Sequence, residues 1–329
     1  MKNVILLSLA TLILSAGISL SQSAKPDPKV PSAAPAKSKA KRPSRRPTLA
    51  NVPYGKHERQ VMDFYKADSV SPTPLLFFIH GGGWVAGDKS GVGELERCLA
   101  AGISVVSINY RYSWQAQLEG VMPPVEWPLA DAVRALQFVR SKAAEWNIDK
   151  SRVGASGGSA GACSSLYLAF HDDMADPNSS DPIARESTRL KCAAVSGAQT
   201  SLDPIQLKEW TPNSRYGGHA FGFMDPNNLR SRDTQFAEFL AKRDSVLKWI
   251  KMYSPYGLVS KDDPPVYLLY SAVPGIGQEQ KDPTHTSNYG VKLQEHCKEI
   301  GTQCELVYPG APDVQHPGIA DFLIDVLKN

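Results

Sequence analysis

Ser159 stands in Gly157-Gly158-Ser159-Ala160-Gly161, flanked only by small residues, between a short apolar run and a helical pattern. A sharp strand-to-helix turn strains the serine backbone, demands small neighbours and leaves the hydroxyl exposed at the helix start. Such a hydroxyl suits nucleophilic attack on an acyl carbonyl, and the Ala160 N–H then points at the oxygen that gains charge. A second register, Gly154-Ala155-Ser156-Gly157-Gly158, fits the same G-x-S-x-G spacing. It would place two glycines inside the helix at about 1 kcal/mol each, so Ser159 is the expected nucleophile. His80-Gly81-Gly82-Gly83-Trp84 complements it. Three successive glycines let the backbone come close to a ligand and turn its N–H groups inward. Gly82 and Gly83 with Ala160 make a three-donor oxyanion hole, in which one donor is worth roughly 3–4 kcal/mol in the transition state.

These groups need a rigid frame, and the rest of the chain supplies its pattern. Residues 75–79 (LLFFI) are continuously apolar, as in a parallel strand covered on both faces. Helical spacing over 91–101, strand 104–109, an amphipathic helix over 128–146, strand 152–155, helix 160–170 and strand 192–196 follow in alternation. After an irregular stretch, 197–251, with a helix around 233–252, the rhythm resumes. Strand 266–271, helix 288–300, strand 304–308 and helix 318–327 complete it. The pattern predicts an α/β fold with a mostly parallel central sheet and helices on both faces. Ligands in such sheets bind at the carboxyl ends of the strands, where the 197–251 insert is expected to form a partial cap. Trp84, Trp210, Tyr216, Phe221 and Phe223 then offer an aromatic wall for an acyl chain or sugar, with Trp84 and Trp210 the leading substrate-binding candidates.

At this point the chain resembles the α/β-hydrolase family. It is most similar to hormone-sensitive-lipase-like carboxylesterases and to feruloyl or acetyl-xylan esterases with an H-G-G-G-W motif. The resemblance covers residues 51–329 and includes Asn109-Tyr110-Arg111, Asp149 with Arg152, Tyr308-Pro309-Gly310 and a late histidine. The chain departs from many relatives at Gly158, where they have an acid, and at Ala162, where they have a second glycine. The resemblance implies the order nucleophile, acid, histidine. His316, after the last strand and before the final helix, is the expected base, with His285 as its rival. Asp282, in Asp282-Pro283 after strand 266–271, is the expected acid, with Glu279 and Asp313 as rivals. His80 is expected to brace the oxyanion loop, and Arg111 with Asp131 to form a structural pair.

Charge divides the chain. Residues 1–50 hold nine basic residues against Asp27, a net +8, out of 36 basic and 33 acidic residues in all; residues 51–329 therefore carry −5. An acidic body argues against a nucleic-acid partner. A positive start, an apolar run over 4–20 and small residues at 19–24 match a secretory signal peptide, expected over 1–24, so the protein is expected to be exported, or anchored if the leader is uncleaved. Residues 25–50, with six prolines among alanine, serine and lysine, are expected to be an extended basic linker available for cell-surface contact. The five cysteines lack metal-site spacing, and Cys297 and Cys304 are placed to be neighbours. The expectation is a serine hydrolase for small-molecule or polysaccharide esters, using Ser159, Asp282 and His316, with no metal and no cofactor. The alternatives are a peptidase of the same fold and a non-catalytic binding scaffold.

Overall fold

The structure, a computed structural model, describes residues 45–329. The expected leader and residues 25–44 of the expected linker lie outside the described residues. The last two linker positions, Leu49 and Ala50, already belong to the first strand, since the proline-rich composition ends at Pro47. No helix among the described residues is long and apolar enough to cross a membrane.

Eight strands form one sheet: β1 (Leu49–Pro53), β2 (Val61–Tyr65), β3 (Thr73–Ile79), β4 (Ser104–Ile108), β5 (Ile148–Gly158), β6 (Cys192–Ser196), β7 (Val266–Leu269) and β8 (Cys304–Val307). Their spatial order is β1-β2-β4-β3-β5-β6-β7-β8. β2 pairs antiparallel with both β1 and β4, and every pairing from β4 to β8 is parallel. β3 is buried along its whole length, as its unbroken apolar sequence requires when helices cover both faces. This is the α/β-hydrolase fold.

The predicted helices are present with shifted ends. The 128–146 helix begins at Glu126 and breaks after Ser141, and the 233–252 helix divides into Phe236–Ala241 and Arg243–Tyr253. Short helices Ser113–Leu118 and Pro204–Trp210 carry too few turns for a periodic signal. All five cysteines are free thiols, with the Cys304 thiol hydrogen-bonded to that of Cys297.

Register aligns the carboxyl ends of the central strands. Ile79 pairs with Gly157, Gly158 with Ser196, and Ser196 with Leu269. The segments that leave β3, β5, β6 and β7 therefore start at one level and converge. The helix Ala160–Phe170 leaves this level against β3, where a methyl on Gly161 would lie 2.1 Å from the Ile79 carbonyl oxygen. Gly161→Ala is expected to destabilise the protein by about 1–3 kcal/mol, the range for overpacking. A fall in the urea midpoint at unchanged m-value would show it.

Candidate active site

β5 ends at Gly158, and Ser159 follows with φ 54° and ψ −123°, a conformation that few non-glycine residues adopt. Its N–H donates to the Ser196 carbonyl at 3.0 Å, and its own carbonyl accepts from Cys163 N at 3.0 Å. The turn is thus fixed to β6 on one side and to the new helix on the other. Ser156, by contrast, lies within β5 and pairs with Phe78 and Ala194, so its register cannot form an elbow.

The loop after β3 brings the glycines to this serine. A Cβ on Gly81 would lie 3.4 Å from that of Ser159. Gly82 (φ 105°) accepts from Val85 N and Ala86 N at 3.1 Å each, which closes the turn. A Cβ on Gly83 would meet the mobile end of Arg232 at 2.4 Å, and its φ of 62° lies in the left-handed region that favours glycine. Ala160 is buried at the first position of the helix after Ser159. His80 braces this loop: its Nδ1–H donates to the Gly81 carbonyl at 2.7 Å, and its ring stacks on Tyr110 at 4.2 Å. The Tyr110 hydroxyl donates to the His80 carbonyl at 2.9 Å. Burial, reinforced by the nearby Arg59 charge and opposed by the bond to Gly81, pulls the His80 imidazole down to about 4, so it stays neutral. Arg111 and Asp131 are paired as expected, at 2.6 Å.

The histidine that reaches Ser159 is His285. Its Nε2 lies 3.0 Å from Ser159 Oγ, and its Nδ1 lies 2.9 Å from Asp282 Oδ2. A carboxylate only accepts, so Nδ1 carries the proton and Nε2 is left to accept from the serine hydroxyl. Asp282 Oδ1 meanwhile accepts from the Thr284 and His285 N–H groups at 3.1 and 3.2 Å, folding the segment so that the imidazole falls on Oδ2. Partial burial pushes the Asp282 carboxyl up; the bonds from the His285 ring and from the two N–H groups outweigh it and hold the carboxyl below its usual range. Loop 272–287 is anchored from several directions. Thr284 O accepts from Gln199 Nε2 at 2.7 Å, Pro283 O from the Tyr289 hydroxyl at 3.1 Å, and Gln280 O from Asn213 Nδ2 at 2.8 Å.

His316, the expected base, is elsewhere. Its Nδ1 lies 2.7 Å from Glu305 Oε2 and its Nε2 3.4 Å from Asp325, while Glu305 Oε1 accepts its backbone N–H at 2.7 Å. These bonds tie it to β8, three strands from β5, a distance of roughly 14 Å at the usual strand spacing. Burial alone would lower the His316 pKa, and the hydrogen bond and charge of Glu305, aided by Asp325, raise it above its ordinary value. A raised pKa stabilises the fold fully below the unfolded value, near 6.5, and the contribution is lost as pH rises through the folded value. His316→Ala is therefore expected to lower the thermal midpoint more at pH 5.5 than at pH 9. Equal losses at both pH values would contradict this.

The aromatic expectations also change. Trp84 is wholly buried and its Nε1–H donates to Ser164 Oγ at 3.0 Å, so it packs the glycine loop onto the helix and offers no exposed surface to a ligand. Trp210 is buried against Tyr256 and Tyr289. Its carbonyl accepts from Asn288 Nδ2 at 2.7 Å and Gly277 N at 3.0 Å, which supports the loop that bears Asp282 and His285. Tyr216 and Phe221 are likewise buried. Ser159, Asp282 and His285 open instead into a cleft of about 820 Å³, to which the 197–251 insert contributes Gly197 alone. The insert is not a cap over this cleft. Its Arg232 side chain lies against Gly83 of the glycine loop. Glu279 and Asp313 make no contact with the imidazole of His285, and no group of metal-ligating side chains occurs among the described residues.

The BD-FAE family matches residues 62–274. Over 151 residues the chain is 29% identical to a probable carboxylic ester hydrolase, LipM, of Mycobacterium tuberculosis, an overlap of 44% of this chain and 32% of that protein. Over 278 residues it is 23% identical to esterase LipQ of the same organism, covering 81% of this chain and 56% of the relative. The chain thus spans between a third and a little over half of the length of these relatives. Among solved structures, a truncated carbohydrate esterase from gut microbiota superposes with a TM-score of 0.61 at 19% identity, covering 85% of this chain and 96% of that one. An acetyl ester-xyloside bifunctional hydrolase from Caldicellulosiruptor lactoaceticus gives 0.58 at 21%, covering 80% and 86%. These two share the fold. The family match runs from β2 past the end of β7 and takes in both the glycine loop and the serine turn, so the chain belongs to the BD-FAE family of α/β-hydrolases.

Proposed function

We propose that the protein is an exported serine hydrolase that cleaves carboxylic esters through Ser159, His285 and Asp282. The observation that carries this reading is the single imidazole lying at hydrogen-bond distance from both the serine hydroxyl and the carboxylate. Ser159 Oγ attacks the acyl carbonyl while His285 Nε2 takes its proton, and Asp282 holds the imidazolium that forms. The N–H groups of Gly82, Gly83 and Ala160 receive the oxyanion. The ester C–O bond then breaks, His285 returns the proton to the departing alcohol, and an acyl-Ser159 remains. Water, deprotonated by the same histidine, attacks the acyl group, and the acid leaves with Ser159 restored.

Short acyl esters, among them acetylated polysaccharide, are the proposed substrates. The cleft is open and lined largely by glycine and serine rather than by a deep apolar tunnel, and two structural neighbours bear the names carbohydrate esterase and acetyl ester-xyloside hydrolase. Export rests on the apolar, small-residue leader of residues 1–24. Purified protein is expected to release p-nitrophenol from p-nitrophenyl acetate and to lose that activity on labelling with one equivalent of a fluorophosphonate. A protein that turns over no p-nitrophenyl ester and resists the probe is not a serine esterase.

A further inference from the structure

Gly91, Gly93 and Glu94 line the Ser159 cleft together with Ser196, Ser271 and Ile319. Glu94 is held at φ 57° and ψ 5°, a left-handed conformation that is uncommon for a residue with a Cβ. Its carboxylate acts on its neighbour Arg97 through charge alone. It does not cap the short helix Leu95–Ala100 that follows it, and it enters no hydrogen bond or ion pair among the described residues. The nearby Arg97 is engaged by Asp321 at 2.6 Å. No lysine or arginine among the described residues lines the cleft, and outside Asp282 its one carboxylate is that of Glu94. His285 must return its proton to the leaving oxygen, and its ring opens into this same cleft, which therefore receives the alcohol half of an ester.

We infer that Glu94 is a specificity-determining residue: its carboxylate accepts hydrogen bonds from hydroxyl or cationic groups of the leaving alcohol and turns away esters of anionic alcohols. The inference rests on the ester-hydrolase reading and adds to it a charge preference set by one side chain. A single charge about 6 Å away across a partly wet cleft changes affinity on the order of tenfold. That preference weakens as salt screens it.

The experiment uses three acetates that differ in the charge of the leaving alcohol: acetylcholine, 2-hydroxyethyl acetate and acetoxyacetate. kcat/KM is measured for the wild type, Glu94→Gln and Glu94→Lys at low and high salt. The wild type is expected to favour the cationic over the anionic ester. Glu94→Gln is expected to reduce that ratio on the order of tenfold and Glu94→Lys to invert it, both effects shrinking at high salt. The isosteric glutamine variant keeps the test open should the lysine variant fail to fold. Cationic-to-anionic ratios within about twofold of wild type in the variants, with the neutral acetate still turned over, would overturn the inference. Wild-type protein that cleaves none of the three, nor p-nitrophenyl acetate, would overturn the ester-hydrolase reading itself.

Discussion

Replacing His285 with alanine is expected to lower kcat for p-nitrophenyl acetate by about 10⁴–10⁶-fold, while His316→Ala leaves it near the wild-type value. The size of the first effect follows from the histidine's double duty. Without a base 3.0 Å from Oγ, Ser159 stays a neutral alcohol, and the leaving oxygen has no proton donor. Members of such a unit act together, so Ser159→Ala and the double variant are expected to fall to a similar residual rate, supplied by the oxyanion donors and by binding. The second outcome follows from the bonds that fix His316 to Glu305 and Asp325 at the far edge of the sheet. Steady-state rates of the purified variants, with circular dichroism to establish folding, decide between them.

Asp282→Asn is expected to cost about 10²–10⁴-fold in kcat, somewhat less than loss of the histidine. Asparagine keeps the shape, and its carbonyl can still accept one bond. It removes the charge that stabilises the imidazolium and can present an N–H to Nδ1, favouring the wrong tautomer. The Asp282 side chain is 62% exposed, so water screens the carboxylate and can partly replace it, which sets the lower end of the range. Glu279→Gln and Asp313→Asn are expected to leave kcat close to wild type, because neither carboxylate touches the imidazole. A loss in either variant as large as that in Asp282→Asn would contradict this assignment.

The sequence made the nucleophile, the glycine loop and the parallel sheet readable, because each depends on local features. A glycine-bounded serine between strand and helix has one workable register, and continuous apolar runs such as 75–79 have few uses outside a doubly covered strand. The base was harder. Family order points to a histidine after the last strand, and His316 occupies that place. What holds it elsewhere is a pair of contacts with its flanking elements, to Glu305 of β8 and to Asp325 of the helix Ile319–Lys328, whose side-chain geometry spacing alone does not reveal. The signal for His285 was present three residues beyond Asp282 in Asp282-Pro283-Thr284-His285. A carboxylate that folds its own turn through one oxygen leaves the other facing the side chain at that spacing. Trp84 and Trp210 were misleading for another reason: large aromatics serve packing and substrate contact equally well, and burial settles which.

The proposed mechanism makes His285, and not His316, the base that activates Ser159. It is tested most directly by fluorophosphonate labelling of the wild type, His285→Ala and His316→Ala, with the modified residue located by peptide mass spectrometry. Rapid labelling at Ser159 is expected in the wild type and in His316→Ala, with labelling slowed by orders of magnitude in folded His285→Ala. Fast labelling of His285→Ala together with loss of labelling in His316→Ala would contradict it.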